Sequence, residues 1–113
     1  MKSTQPVSSE LFVAMMIYHV TEVEKERIWL TKLVDLLEDY MDKKIIWHAM
    51  DTLDDWMIIY GEYGETEKGR AGRLYFIDTH DGGDDMIKQL YDKYWMQITG
   101  DTNVRTMANQ DEK

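Results

Sequence analysis

From Ser9 to Val23 apolar residues fall on two sides of a helical wheel: Leu11, Ala14, Met15 and Tyr18 on one, Val13, Met16, Ile17 and Val20 on the other. Ser8 or Ser9 is a natural N-cap for this helix. A helix that is apolar nearly all round sits at the centre of a core or is shared with a partner chain. Glu22 to Arg27 reads as a solvated connection, and Ile28-Trp29-Leu30 as a short extended segment. Thr31 is then expected to cap a second, brief helix carrying Leu33, Val34, Leu36 and Leu37. Asp39 to Met41 makes a turn. Asp42 caps a third helix to about Asp55, with Ile46, Ala49, Met50 and Leu53 on its buried stripe.

Beyond Trp56 the period changes. Met57-Ile58-Ile59-Tyr60 and Leu74-Tyr75-Phe76-Ile77 are rich in β-branched and aromatic residues, and glycines lie between them, which predicts a hairpin. Its turn, Glu67 to Arg73, is expected to be long and basic. A last helix from about Gly83 to Ile98 carries Met86, Ile87, Leu90, Tyr91, Tyr94, Trp95 and Ile98 on a wide stripe. The order is helix, short strand, helix, turn, helix, hairpin, helix. This is an α+β, mostly helical fold, a winged helix-turn-helix with an additional C-terminal helix. Residues 9–99 form that domain, and 1–8 and 100–113 are polar, aperiodic segments expected to be disordered tails.

Two passages carry a family resemblance, spanning roughly Ser9 to Trp95. Leu53-Asp54-Asp55-Trp56-Met57-Ile58-Ile59 is similar to the passage from recognition helix to wing in winged-helix transcriptional regulators of the MarR type and their archaeal relatives. Thr79-His80-Asp81-Gly82 resembles the threonine-x-x-glycine signature that opens their post-wing helix. Met57 departs from the pattern, because those regulators place glycine there and use its freedom at positive φ to close the helix, so a differently built turn is expected. The resemblance implies a dimeric regulator that binds double-stranded DNA, with the third helix in the major groove and the wing on the backbone or minor groove.

At about 100° per residue, the buried stripe of the third helix leaves Lys44, Trp47, His48, Asp51 and Asp55 outward. Lys43 and Lys44 occupy the first turn, where the helix dipole disfavours a cation by about 0.3–1 kcal/mol, so phosphate contact is one benefit that explains them. Balancing Asp42 and nearby carboxylates is the other. Lys68, Arg70 and Arg73 add three positive charges within six residues at the hairpin tip, suited either to a phosphate backbone or simply to solubility. Trp47 can meet DNA or pack on the first helix or the wing. The candidate DNA-binding set is therefore Lys43, Lys44, Trp47, His48, Asp51, Lys68, Arg70 and Arg73.

Charge opposes this reading. With 13 Lys and Arg against 22 Asp and Glu, the net charge of −9 is unlike that of a nucleic-acid binder, so basic clusters must act locally. Asp51, Asp54 and Asp55 would meet phosphate with like charge, unless one accepts a hydrogen bond from cytosine. They make a winged helix that binds a basic protein partner the alternative function. There is no cysteine, which excludes disulfides and thiolate metal sites and fits a cytoplasmic protein. His80 with Asp81, Asp84 and Asp85 lacks standard metal-ligand spacing, and no catalytic motif is present, so neither metal, cofactor nor enzyme activity is expected. The longest apolar run, Leu11 to Tyr18, is far short of the ~20 residues of a membrane span. Four Trp, seven Tyr and nine Met give the first and last helices more apolar surface than a small monomer covers. A homodimer through those helices is expected, and a small apolar effector is a further partner that such a surface can admit.

Overall fold

The computed structural model describes residues 7–65, 69, 71–79 and 82–100. Helix α1 (Ser9–Tyr18) starts from Ser8, whose hydroxyl accepts the Leu11 N–H at 3.2 Å. Residues Phe12 to Ile17 are all buried, so α1 is the central helix that its two-sided apolar pattern predicts. Val7, just before the cap, is buried with them. The helix does not run straight to Val23. His19–Val23 form a π-helical turn, in which the Glu24 N–H reaches the His19 carbonyl at 2.9 Å, and Lys25 at φ 60° ends it.

Strand β1 (Ile28–Trp29) leads directly into α2 (Leu30–Leu37), so Thr31 lies inside the helix rather than capping it. The N-cap is Trp29, whose side chain cannot satisfy an orphan N–H. Helix α3 (Lys43–Asp55) follows a tight turn, and Ile46, Ala49, Met50 and Leu53 are its buried residues, the same four that the helical period selects. Asp42 stands at its N-cap without a side-chain hydrogen bond. Strands β2 (Ile59–Glu65) and β3 (Ala71–Ile77) pair antiparallel, from Ile59 opposite Ile77 to Glu65 opposite Ala71. β1 joins the other edge of β3, with Ile28 opposite Tyr75, to give the order β1-β3-β2. Helix α4 (Gly83–Thr99) returns across α1, burying Ile87 and Trp95. Gly82, from the threonine-x-x-glycine passage, is its N-cap at φ 74°, whereas His80 and Asp81 lie outside the described residues. The fold is a winged helix-turn-helix with an additional C-terminal helix, and no described helix is long and apolar enough to cross a membrane.

The turn from α3 into the wing corrects one expectation. Met57 does not force a different construction, because it adopts φ 62° itself. Its N–H bonds to the Asp54 carbonyl at 3.0 Å and the Ile58 N–H to that of Leu53 at 3.0 Å, the paired closure of a glycine-ended helix. A side chain at that φ costs about 1–2 kcal/mol. Met57 is 64% exposed, so it recovers little by packing. Met57→Gly should therefore raise unfolding free energy by about 1 kcal/mol or slightly less, since glycine also gives the unfolded chain more freedom. Met57→Ala should give no gain, and denaturant unfolding of the three proteins checks the difference.

Candidate nucleic-acid interface

One side of α3, at the border of its buried stripe, and the inner face of the wing form the walls of one groove. Trp47, Met50, Asp51 and Asp54 come from α3, Tyr63, Arg73 and Tyr75 from the hairpin, and Leu30 from the start of α2. Its volume is about 560 Å³. The sheet register puts Gly61 and Tyr63 on the same face as Arg73 and Tyr75, because pairs of this alternation share one side.

Arg73 is not at the tip of the wing, as the glycine-rich spacing suggests, but inside β3 opposite Tyr63. Its half-buried guanidinium lies 5.3 Å from the Tyr63 ring centre and 5.6 Å from that of Tyr75, close enough for cation–π attraction to both. Gly61 makes room for it: a Cβ at that position would lie 2.6 Å from Arg73 Nε. Arg73 Nε is buried and makes no hydrogen bond among the described residues. Burial raises the pKa of the Tyr75 hydroxyl; Arg73 opposes that shift, while Asp54, Tyr63 and Asp51 add to it. The groove therefore brings one arginine, two carboxylates and three aromatic rings together.

On α3, Lys44, His48 and Asp51 are exposed, and Trp47 is 45% exposed, so its ring borders the groove without packing away into the core. Lys43 is paired with Glu38 at 3.6 Å, a contact across the α2–α3 turn rather than with Asp42. Such an exposed pair contributes at most about 1 kcal/mol and leaves the lysine free to exchange partners. Lys44 has no ion-pair partner among the described residues. Lys68 and Arg70 lie outside the described residues, between Glu65 and Ala71 in sequence. The described wing strands add exposed Glu62 and Glu65, so among the described residues of α3 and the wing positive charge rests on Lys43, Lys44 and Arg73.

The aromatic partners of Arg73 were not among the residues selected from sequence. Alternation along β3 and a glycine within β2 are the signals that mark them, since a strand glycine often marks a close approach of another group. A second polar cluster was also missed. His19 lies within 2.6 Å of the Tyr91 hydroxyl through Nδ1 and 3.0 Å of Glu24 through Nε2, and its ring stacks on Trp95 at 4.7 Å. Among the described residues no group of three or more His, Asp or Glu is arranged to hold a metal.

No protein-family model matches the chain, and no curated protein matches it in sequence. Solved structures do match. The circadian clock associated protein Pex from Anabaena is 19% identical with a TM-score of 0.59, covering 86% of this chain and 90% of that one. Pex from Synechococcus sp. is 26% identical with a TM-score of 0.54, covering 79% and 83%. A PadR-like transcriptional regulator from Bacillus cereus is 15% identical with a TM-score of 0.57, covering 83% and 90%. These are Pex and PadR-like proteins rather than the MarR-type proteins that the passages around Leu53 and Thr79 resemble, and the shared property is the winged-helix fold.

Proposed function

We propose that this chain is a winged-helix transcriptional regulator that binds double-stranded DNA as a homodimer, with α3 in the major groove and the wing on the backbone or minor groove. The observation that carries this reading is the division of α3. Ile46, Ala49, Met50 and Leu53 are buried, while Lys44, Trp47, His48 and Asp51 are exposed, with Trp47 and Asp51 lining the groove against the wing. The likeness to a PadR-like transcriptional regulator supports the same use of the fold. Selection of binding sites from random duplexes should yield an enriched sequence. Lys44→Ala or His48→Ala should then reduce the preference for that site by about 1–3 kcal/mol each, because each side chain can donate to purine acceptors. Folding should be unchanged, since both residues are exposed.

The acidic groove favours a second reading, a basic protein as partner, because Asp51 and Asp54 stand beside aromatic rings that attract cations. An absence of any enriched DNA sequence, with capture of a basic protein that Asp51→Asn and Asp54→Asn abolish, would establish that reading instead.

The dimer is assigned to α1 and α4. Leu11 and Tyr18 on α1, and Leu90, Tyr94 and Ile98 on α4, are only partly buried, and Met86 and Met96 are exposed. A second copy can cover this surface. Light scattering at micromolar concentration should give twice the chain mass of 13.4 kDa, and a monomer mass would refute the dimer.

A further inference from the structure

Charge divides α3 into two halves. Its three carboxylates, Asp51, Asp54 and Asp55, all follow Met50, whereas Lys43 to Met50 carries two lysines and His48 and no acid. A duplex that meets the first half of the helix avoids the like charge of the second, and the helix dipole is positive at that end. The two flanks of the first half differ as well. Trp47 lines the wing groove with Met50, Asp51 and Asp54, and none of Lys44, Ile45 and His48 does. At about 100° per residue, Ile45, His48 and Thr52 follow one another along the opposite flank, with Lys44 beside them.

Ile45 is the residue on this flank that the fold does not account for. It is 43% exposed and is not among the hydrophobic residues packed against the core, although its neighbour Ile46 is fully buried. Apart from Trp47, every other exposed residue of α3 is polar. Isoleucine is also a poorer helix former than lysine, leucine or alanine. Single exposed apolar side chains are common on protein surfaces, so exposure alone says little. Position says more: Ile45 follows Lys44 and stands one turn before His48, two donors in the acid-free half of the helix. In a major groove an aliphatic side chain at that place has a specific apolar partner, the C5-methyl group of thymine.

We propose that α3 enters the major groove through its first two turns, on the flank away from the wing groove, and that Ile45 is a specificity-determining residue that packs on the C5-methyl group of a thymine. Lys44 and His48 then donate to acceptors on neighbouring base pairs. The proposal deepens the DNA-binding reading and rests on it. Its contact is read by burial and not by hydrogen bonding, so it distinguishes thymine from uracil, which differs in the groove only by the missing methyl group.

The test uses the full chain and the duplex it enriches from random sequence, with each thymine replaced in turn by deoxyuridine and binding read by anisotropy. Replacement at one thymine should weaken the parent protein about three- to tenfold, the scale of a buried methyl group. Ile45→Ala should lose a similar factor on the thymine duplex and bind the thymine and uracil duplexes equally. Because Ile45 is exposed, that variant should unfold at the same urea concentration as the parent, which keeps the comparison free of folding. Indifference of the parent to every replacement, discrimination that survives Ile45→Ala, or discrimination that Trp47→Ala removes and Ile45→Ala does not would each overturn the proposal. In those cases the enriched sequence, and with it the DNA-binding reading, still stands. Absence of any enriched sequence would remove that reading and the proposal together.

Discussion

Replacing Lys68 and Arg70 together by alanine is expected to weaken binding to every duplex, cognate or random, and to flatten the dependence of log affinity on log salt by up to about two units. Each phosphate neutralised contributes about 0.9 to that slope through released counterions. The effect should be large because the rest of the hairpin offers little positive charge: Glu62 and Glu65 are exposed on β2, and Asp51 and Asp54 face the same groove from α3. Arg73 should behave differently from the other two. Its guanidinium is held between Tyr63 and Tyr75 inside the sheet, so Arg73→Ala removes packing and cation–π attraction along with charge. The triple substitution should add at most one further unit of slope, together with a loss of stability that the double substitution does not show. Affinity measured across a salt series by anisotropy with a labelled duplex separates these outcomes, and an unchanged slope in the double variant would remove the wing from the phosphate backbone.

The contrast between Arg73 and its neighbours shows where the sequence pattern stops being informative. Gly61, Gly64 and Gly72 between two apolar runs look like turn residues, and they shorten the predicted strands. In the structure they are strand residues: Gly61 accommodates Arg73, and Gly64 lies under the Trp29 ring. A glycine needed for close approach across a sheet leaves the same mark in a sequence as one needed for a turn. The buried stripe of α3 was fully legible, since period alone decides which side of an amphipathic helix faces a core. The π-helical turn was not, because α1 is apolar on every side and a local change of hydrogen bonding from four to five residues moves no polar residue into an apolar position. That turn sets His19 against Tyr91 of α4 and brings Glu24 onto the other side of the His19 ring. Met57 was legible as a departure but not in its outcome, for the bonds to Asp54 and Leu53 hold the left-handed conformation despite the side chain.

Phe12→Ala should be among the most destabilising single changes in the core, at a position that lines no wall of the α3–wing groove. Phe12 is fully buried in α1, with its ring edge-on to Tyr40 at a centroid distance of 5.0 Å and stacked on Trp95 at 5.8 Å. It thus ties the central helix both to the turn after α2 and to α4. Truncating such a ring removes its burial and leaves a cavity that its neighbours fill only in part, a loss of about 3–5 kcal/mol. A small domain has roughly 5–15 kcal/mol in total, so the variant should approach the edge of folding. Phe12→Leu leaves a smaller void and should lose distinctly less, whereas the exposed Lys44→Ala should stay within about 0.5 kcal/mol of the parent. Urea unfolding followed by tryptophan fluorescence reports directly on this joint, because Trp95 is one of its members. A loss below about 1.5 kcal/mol for Phe12→Ala would mean that α4 is held to α1 mainly by Ile87 and the His19–Tyr91 contact, and that the aromatic stack is not what couples the C-terminal helix to the helix-turn-helix.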